Sequence, residues 1–351
     1  MFNMIALSHE DTEKLLDMET VIDKVEQAYT LKHEKNAELF PMIFHEFEEG
    51  VADMDIKSGH LTGAGIFGLK LVSWFGPNAD KNLPQLVGTV MVFDGETGAP
   101  RAILSAEHIT CMRTGAAGAI GAKYLARPDS KNLLMVGTGN QAAFQIAATL
   151  MAMPSIEKVL LWNPLEQSQA EAFKASIKER LEHEFLSHFA DTPEKADKYR
   201  AKFDVEFEVV SDIQASTAEA DVIITATPSR KAMILKEWVK PGTHFSCVGS
   251  DMEGKQEIDA ALFAGARVYT DDITQSVNVG EAETAVKTGI IKAEDIISEI
   301  GAVIKGDVAG RLSDEDITIY DSTGIALQDL ITADYALKQA KEKGIGSSFN
   351  L

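Results

Sequence analysis

The residues best suited to chemistry lie in LLMVGTGNQAAFQIAATL, positions 133–150, where an apolar run meets Gly137-x-Gly139-x-x-Ala142 and continues with helical spacing. Gly137 permits a tight turn, and Gly139 lets the backbone approach a pyrophosphate. The small Ala142 allows close packing of strand on helix, with the phosphates at the helix N-terminus. The spacing predicts a dinucleotide-binding turn, the other reading being a structural glycine turn. The next expected strand ends at Asn163-Pro164, where an acid commonly binds the ribose hydroxyls. Asn163 can hydrogen-bond a ribose but lacks the charge that rejects a 2′-phosphate, and no Arg follows to attract one. NAD is therefore favoured and NADP stays open.

Three charged residues have unusual surroundings. Lys70 lies inside the apolar stretch GLKLVSWF. Buried, its pKa would fall into the range of a proton carrier; facing outward, it would be an ordinary strand lysine. Arg113 sits among small residues in CMRTGAAG, either to clamp a carboxylate bidentately or to form a structural ion pair. Asp251 ends CVGSD, either to serve a substrate amine or to cap a helix. TATPS (225–229) and CVGSD (247–251) bring Thr227 and Gly249 to ligand-facing strand ends. The eight histidines form no His-x-x-x-His pair, so a metal hydrolase is not expected, and no metal site is assigned. A Gly-x-Ser-x-Gly elbow and a phosphate loop ending in Gly-Lys-Ser/Thr are both absent.

The elements that must hold these residues divide the chain in two. Residues 10–36 read as a helix, with Leu15, Leu16, Val21, Ile22, Val25 and Tyr29 at helical spacing. GIFGLKLVSWFG (65–76), VGTVMVFD (87–94) and RAILS (101–105) read as antiparallel strands. The Ala- and Gly-dense segment 106–126 reads as a helix whose face lies close to another backbone or a ligand. From there apolar runs alternate with helical stretches, as in a parallel sheet covered on both faces. The candidate strands are 133–137, 158–163, 207–210, 221–227, 243–249, 267–271 and 317–321. The charged segment 164–206 reads as an exposed helical insertion, centred on about 180–204. The fold class is thus α/β: a Rossmann-like doubly wound domain at 127–321, beside an α+β substrate-binding and dimerisation domain from 1–126 and 322–351.

With 351 residues the chain has room for two domains. A formal charge of −21 makes nucleic acid and anionic membrane poor partners, so any bound anion must be held by a few local groups. Two cysteines, Cys111 and Cys247, the absence of a signal-peptide core and the lack of a long apolar run point to a cytoplasmic enzyme.

Together these segments resemble the ornithine cyclodeaminase and mu-crystallin family. The resemblance is carried by GLKLV, DGETGAPRAIL, ITCMRTGAAGAIGAKYLAR, VGTGNQAAFQ, ADVIITATPS, VGSDMEGKQEID and GDVAGRLSDEDITIYDSTGIALQD. It implies a homodimer joined through the β region and NAD(P)-dependent hydride transfer through an imine. Lys70 and Asp251 would be catalytic, Arg113 would hold the substrate carboxylate, and Thr114, Gly139, Asn140, Gln141, Thr227 and Ser322 would contact the cofactor. The substrate would be a small amino acid or a cyclic imine. Its imine would be cyclised with loss of ammonia, as by ornithine cyclodeaminase, or hydrolysed by a dehydrogenase, or reduced by a ketimine reductase. A non-catalytic NAD(P)-retaining binding protein of the mu-crystallin kind is the alternative of another class. Many members carry a second carboxylate-binding Arg before the lysine strand. Here FPMIFHEFEEGVADMDIKSGHL (40–61) has none, and Lys57 is its only lysine or arginine, either a replacement or a surface loop residue.

Overall fold

The computed structural model describes residues 2–351, and the chain forms two compact units. One comprises the chain up to Arg113 together with Ile325–Leu351; the other is Thr114–Gly324. The sequence drew its limits at 126/127 and 321/322, whereas the first division falls inside the helix Ala106–Leu125.

In the first unit an eight-stranded mixed sheet runs in the order Ser347–Asn350, Asn3–Leu7, Pro100–Ser105, Leu86–Asp94, Ile66–Phe75, Ala52–Leu61 and Glu38–Leu39. Ile43–Glu48 also pairs with Ala52–Leu61. Pairing is antiparallel except where Asn3–Leu7 meets Pro100–Ser105. Two glycines decide how closely the C-terminal helix Ala326–Lys343 lies on this sheet. A Cβ at Gly59 would come within 3.0 Å of Leu327, and one at Gly68 within 2.7 Å of Leu330. Side chains alternate along a strand, so Lys57 shares the helix-covered face with Gly59, and Lys70 shares it with Gly68.

The expected single N-terminal helix is two, His9–Leu15 and Met18–His33. Asp17 breaks it by accepting a hydrogen bond from the Thr20 amide and capping the second helix. The strands Asn3–Leu7 and Ser347–Asn350 are short and pair with each other across the whole sequence, a contact no local pattern announces.

The second unit holds an eight-stranded parallel sheet in the order Glu206–Val209, Lys158–Trp162, Asn132–Val136, Val222–Thr225, His244–Cys247, Thr318–Asp321, Arg267–Thr270, Ser298–Glu299. The strand order reverses at Asn132–Val136, making that strand's carboxyl end the topological switch point of a doubly wound sheet. The expected close approach of the glycine-rich helix is present: a Cβ at Gly115 would lie 2.6 Å from the Phe144 carbonyl oxygen.

The charged segment is helical as expected, but it is not simply exposed. Within Gln167–Arg180, Leu181–Leu186 and Pro193–Phe203, the side chains of Phe173, Ile177, Leu181, Phe185, Tyr199 and Phe203 are buried. The Phe185 ring meets Phe144 edge to face at 5.4 Å between centroids. Apolar residues at helical spacing bury one face, while the charges pair in solvent, as Arg200 does with Glu182. Among the described residues no helix is long and apolar enough to cross a membrane.

Candidate active site

Lys70 lies mid-strand in Ile66–Phe75, opposite Lys57 on one side and Val90 on the other. Lys70 is only 3% exposed, so its head group must find a partner inside the protein. The partner is Asp329, fully buried in the first turn of the C-terminal helix. Lys70 Nζ donates to Asp329 Oδ1 at 3.0 Å and to Thr110 Oγ1 at 3.5 Å. Arg113 Nε donates to the same Oδ1 at 3.0 Å, and its Nη1 to Gln328 Oε1 at 3.1 Å. Gln328 donates in turn to the Tyr29 hydroxyl. A single buried carboxylate thus anchors both cations, and its second oxygen, Oδ2, is buried with no hydrogen-bond partner.

The electrostatics follow from this packing. Burial pulls Lys70 down and the Arg113 charge adds to it, while Asp329 resists, leaving the lysine at about 8. Burial alone would raise Asp329, but Arg113, Lys70 and Lys57 outweigh it and hold the carboxyl below its ordinary value. Lys57 is buried in a strand rather than set in a surface loop, and its charge acts on both Lys70 and Asp329.

In the second unit Gly137, Thr227, Gly249 and Ser322 follow the carboxyl ends of four adjacent parallel strands. Gly137 has φ +102°, and a Cβ there would strike the Ala226 carbonyl at 2.8 Å, so glycine is required on both counts. A Cβ at Gly139 would meet nothing within 4 Å, leaving open space over the turn. Behind it the helix Ala142–Ala152 begins with no side-chain cap, and Gln141 Oε1 is buried without a hydrogen-bond partner. Uncapped amides at a glycine turn beside open space fit a dinucleotide pyrophosphate. Thr114 is buried, and its carbonyl accepts from Gln145 Nε2 at 2.8 Å. Ser322 Oγ donates to Asp271 Oδ2 at 3.0 Å.

Two further residues have partners within the chain that the sequence did not indicate. Asn163 has its whole amide engaged: Nδ2 donates to Thr138 Oγ1 at 2.7 Å and Gln169 Oε1 at 3.1 Å, while Oδ1 accepts from the amides of Leu165 and Glu166. It therefore braces the turn through Thr138. Asp251 is exposed and accepts from Lys255 Nζ at 2.6 Å. Sequence reasoning missed Asp329, Gln328 and Thr110. The available signal was the pair Gln328-Asp329 inside the otherwise apolar start of IALQDLITADYAL.

A doubly wound parallel sheet with a glycine turn at its switch point, joined to a unit with a buried lysine–aspartate–arginine centre, defines a class of nucleotide-dependent α/β proteins. The family model for the ornithine cyclodeaminase/mu-crystallin family matches residues 2–188 and 169–344. The chain is 36% identical over 343 residues to an alanine dehydrogenase of Archaeoglobus fulgidus, covering 98% of this chain and 97% of that protein. An archaeal alanine dehydrogenase, solved as a dimer with bound NAD, superposes with a TM-score of 0.87 at 34% identity, covering 99% of each chain. The iminosuccinate reductase of Paracoccus denitrificans, solved with NAD+, gives 0.84 at 34% identity over 99% of this chain and 100% of that one. The chain belongs to the ornithine cyclodeaminase/mu-crystallin family.

Proposed function

We propose that this chain is an enzyme that transfers hydride, with NAD, at the Cα–N bond of a small L-α-amino acid and its imine, with net oxidation or reduction. The observation that carries this reading is the buried Lys70–Asp329–Arg113 centre with Lys57 beside it. Arg113 gives its Nε hydrogen and one Nη1 hydrogen to Asp329 and Gln328, and its other N–H groups suit a substrate carboxylate. Lys70, at about 8, can take a proton from a substrate ammonium near neutral pH and return it in the reverse direction. Asp329 fixes the lysine head. Asp251 is assigned the positive charge that builds on nitrogen as the imine forms, a role resting on the family resemblance. Held at the glycine turn, NAD would supply the hydride acceptor for oxidation and NADH the hydride donor for reduction. Gly137, Gly139, Asn140, Gln141, Thr114, Thr227, Gly249 and Ser322 are assigned to NAD, with Asn163 shaping the turn. Glu166 follows Asn163, and the first cation beyond it is Lys174, an arrangement that disfavours a 2′-phosphate.

Charge selects among the alternatives left open by the sequence. A diamino acid such as ornithine would bring a second ammonium towards Lys57, Lys70 and Arg113, where like charges repel it. Dehydrogenation or imine reduction of an acid with a neutral or anionic side chain meets no such penalty. The names of the alanine dehydrogenase and iminosuccinate reductase relatives support the same choice.

A homodimer fits the first unit. Phe40, Ile43, Phe44, Phe47, Leu86 and Val87 are exposed apolar side chains of the antiparallel β region, of the kind an interface covers. The archaeal alanine dehydrogenase dimer supports this reading. The test of the function is stoichiometric. With NAD and L-alanine or L-aspartate, one NADH should form per ammonia released, with no product from ornithine. Ammonia from ornithine without NADH accumulation would overturn the reading in favour of cyclodeamination.

A further inference from the structure

Glu257 is wholly buried in the second unit, where two ligand-facing strand ends converge on it. Its Oε1 accepts from the Thr227 amide at 2.7 Å and from Thr227 Oγ1 at 2.8 Å. Its Oε2 accepts from Thr225 Oγ1 at 2.7 Å and from the Gly249 amide at 3.0 Å. Thr225–Thr227 leaves the strand Val222–Thr225, and Gly249 leaves the neighbouring strand His244–Cys247. One carboxylate therefore ties together the two loops that carry Thr227 and Gly249. A Cβ at Gly249 would meet the Thr227 carbonyl oxygen at 2.4 Å and Glu257 Oε2 at 2.6 Å, which together account for glycine there.

Glu281 stands behind Glu257 and holds it in place. Its Oε1 accepts from the amides of Glu257 and Ile258, each at 2.7 Å, and its Oε2 lies 2.5 Å from Ser250 Oγ, next to Gly249. The two acids have different chemical demands. Burial raises the Glu257 carboxyl, and the four donors that converge on it oppose that rise by favouring an ionised carboxylate, which accepts from all of them at once. Glu281 meets two backbone donors with one oxygen and a hydroxyl with the other. A neutral acid, or an amide that donates to Ser250, satisfies the same partners. Burial, with the Glu257 charge adding to it, pushes Glu281 up to about 8, in keeping with the neutral form.

We propose that Glu257 and Glu281 are positioning residues of the NAD site: Glu257, as a charged acceptor, sets the spacing of the Thr227 and Gly249 loops, and Glu281, as a neutral acid, locks Glu257 in register. The proposal rests on the reading that the second unit binds NAD. Neither acid is assigned a contact with the cofactor, so the effect should fall on affinity rather than on the chemical step.

The experiment titrates NADH into the substrate-free full-length protein by fluorescence, with the melting temperature recorded alongside. Glu257→Gln turns a donor towards the Thr227 or Gly249 amide and should weaken NADH binding at least about tenfold, with KM for NAD rising and kcat little changed. Glu281→Gln should bind NADH within about twofold of the parent. Thr225→Val removes one donor from Glu257 at a buried, similarly sized side chain and should weaken binding about threefold, which keeps the test alive if Glu257→Gln fails to fold. Unchanged affinity in both Glu257→Gln and Thr225→Val would overturn the proposal, as would an equal loss in Glu281→Gln. If the parent itself binds no NADH, the NAD reading and the proposal fall together. If the parent binds and the variants match it, only the proposal falls.

Discussion

Lys57 and Lys70 stand directly opposite each other on adjacent antiparallel strands, both buried and both on the face covered by the C-terminal helix. Like charges facing each other across a sheet are unfavourable unless anions are near. Asp329 is one such anion, and a substrate carboxylate is proposed as another. The cross-strand pair therefore ties the fold of the first unit to the kind of ligand proposed for it.

Lys57 should govern which substrates bind. Lys57→Ala is expected to raise KM for the amino acid about tenfold or more with a smaller effect on kcat, as loss of a charge-assisted carboxylate contact would. Lys57→Glu should shift selectivity towards ornithine or lysine, because the new carboxylate would welcome a second ammonium. Steady-state kinetics across alanine, aspartate and ornithine would check both, and an unchanged KM profile would remove Lys57 from the substrate site.

Lys70→Ala should lower turnover by a factor of roughly a hundred to ten thousand, the usual range for a lost acid–base group. Binding of NADH, read by fluorescence, should stay near the parent value. A variant that loses NADH binding would show that Lys70 supports the fold or the cofactor rather than the proton transfer.

The pH dependence has a definite sign. Amino acid oxidation needs Lys70 neutral, so kcat/KM should rise with pH through about 8, the value to which burial and Arg113 bring this lysine. Asp329 favours the charged form of Lys70, so Asp329→Asn should move the inflection to lower pH. An inflection that moves upward, or stays in place in that variant, would contradict the assignment.

Gly115 tests the packing of the second unit. Gly115→Ala forces a Cβ to 2.6 Å from the Phe144 carbonyl oxygen, with backbone rather than a flexible side chain on the other side. Helix propensity alone would favour alanine, so a loss of about 1–3 kcal/mol in denaturant unfolding would show that close helix packing dominates. A stabilised variant would show that the two helices can part without cost.

The exposed apolar side chains of the first unit should be covered in solution. Sedimentation is expected to give twice the chain mass, and Phe44→Asp with Val87→Asp should shift the protein towards monomer. A parent protein that sediments as a monomer would leave these side chains without their proposed occupant.

Much of the second unit was legible because several of its strands are buried on both faces and so appear as continuous apolar runs; each of the seven candidates holds a strand within a residue or two. The glycine turn was equally clear, since Gly137 and Gly139 are needed for local reasons. Lys57 was harder to place. Its strand, Ala52–Leu61, is full of polar residues and glycine, and its assignment depends on pairing with Ile66–Phe75, a tertiary contact. Asp329 lies 259 positions from Lys70 and joins the site only through the packing allowed by Gly59 and Gly68. For Asn163 the sequence showed only the position, where an acid commonly meets the ribose; its partners Thr138 and Gln169 are set by the loop.

The central claim is net hydride transfer to the Cα of an amino acid, and isotope transfer tests it most directly. The protein would be given NADH deuterated at the transferring position, ammonia, and pyruvate or oxaloacetate, and the amino acid formed would be analysed by mass spectrometry and proton NMR. The account predicts one deuterium at Cα of alanine or aspartate, matched by an equal amount of NAD+. An unlabelled amino acid, or no net oxidation of NADH while ornithine is deaminated, would contradict it.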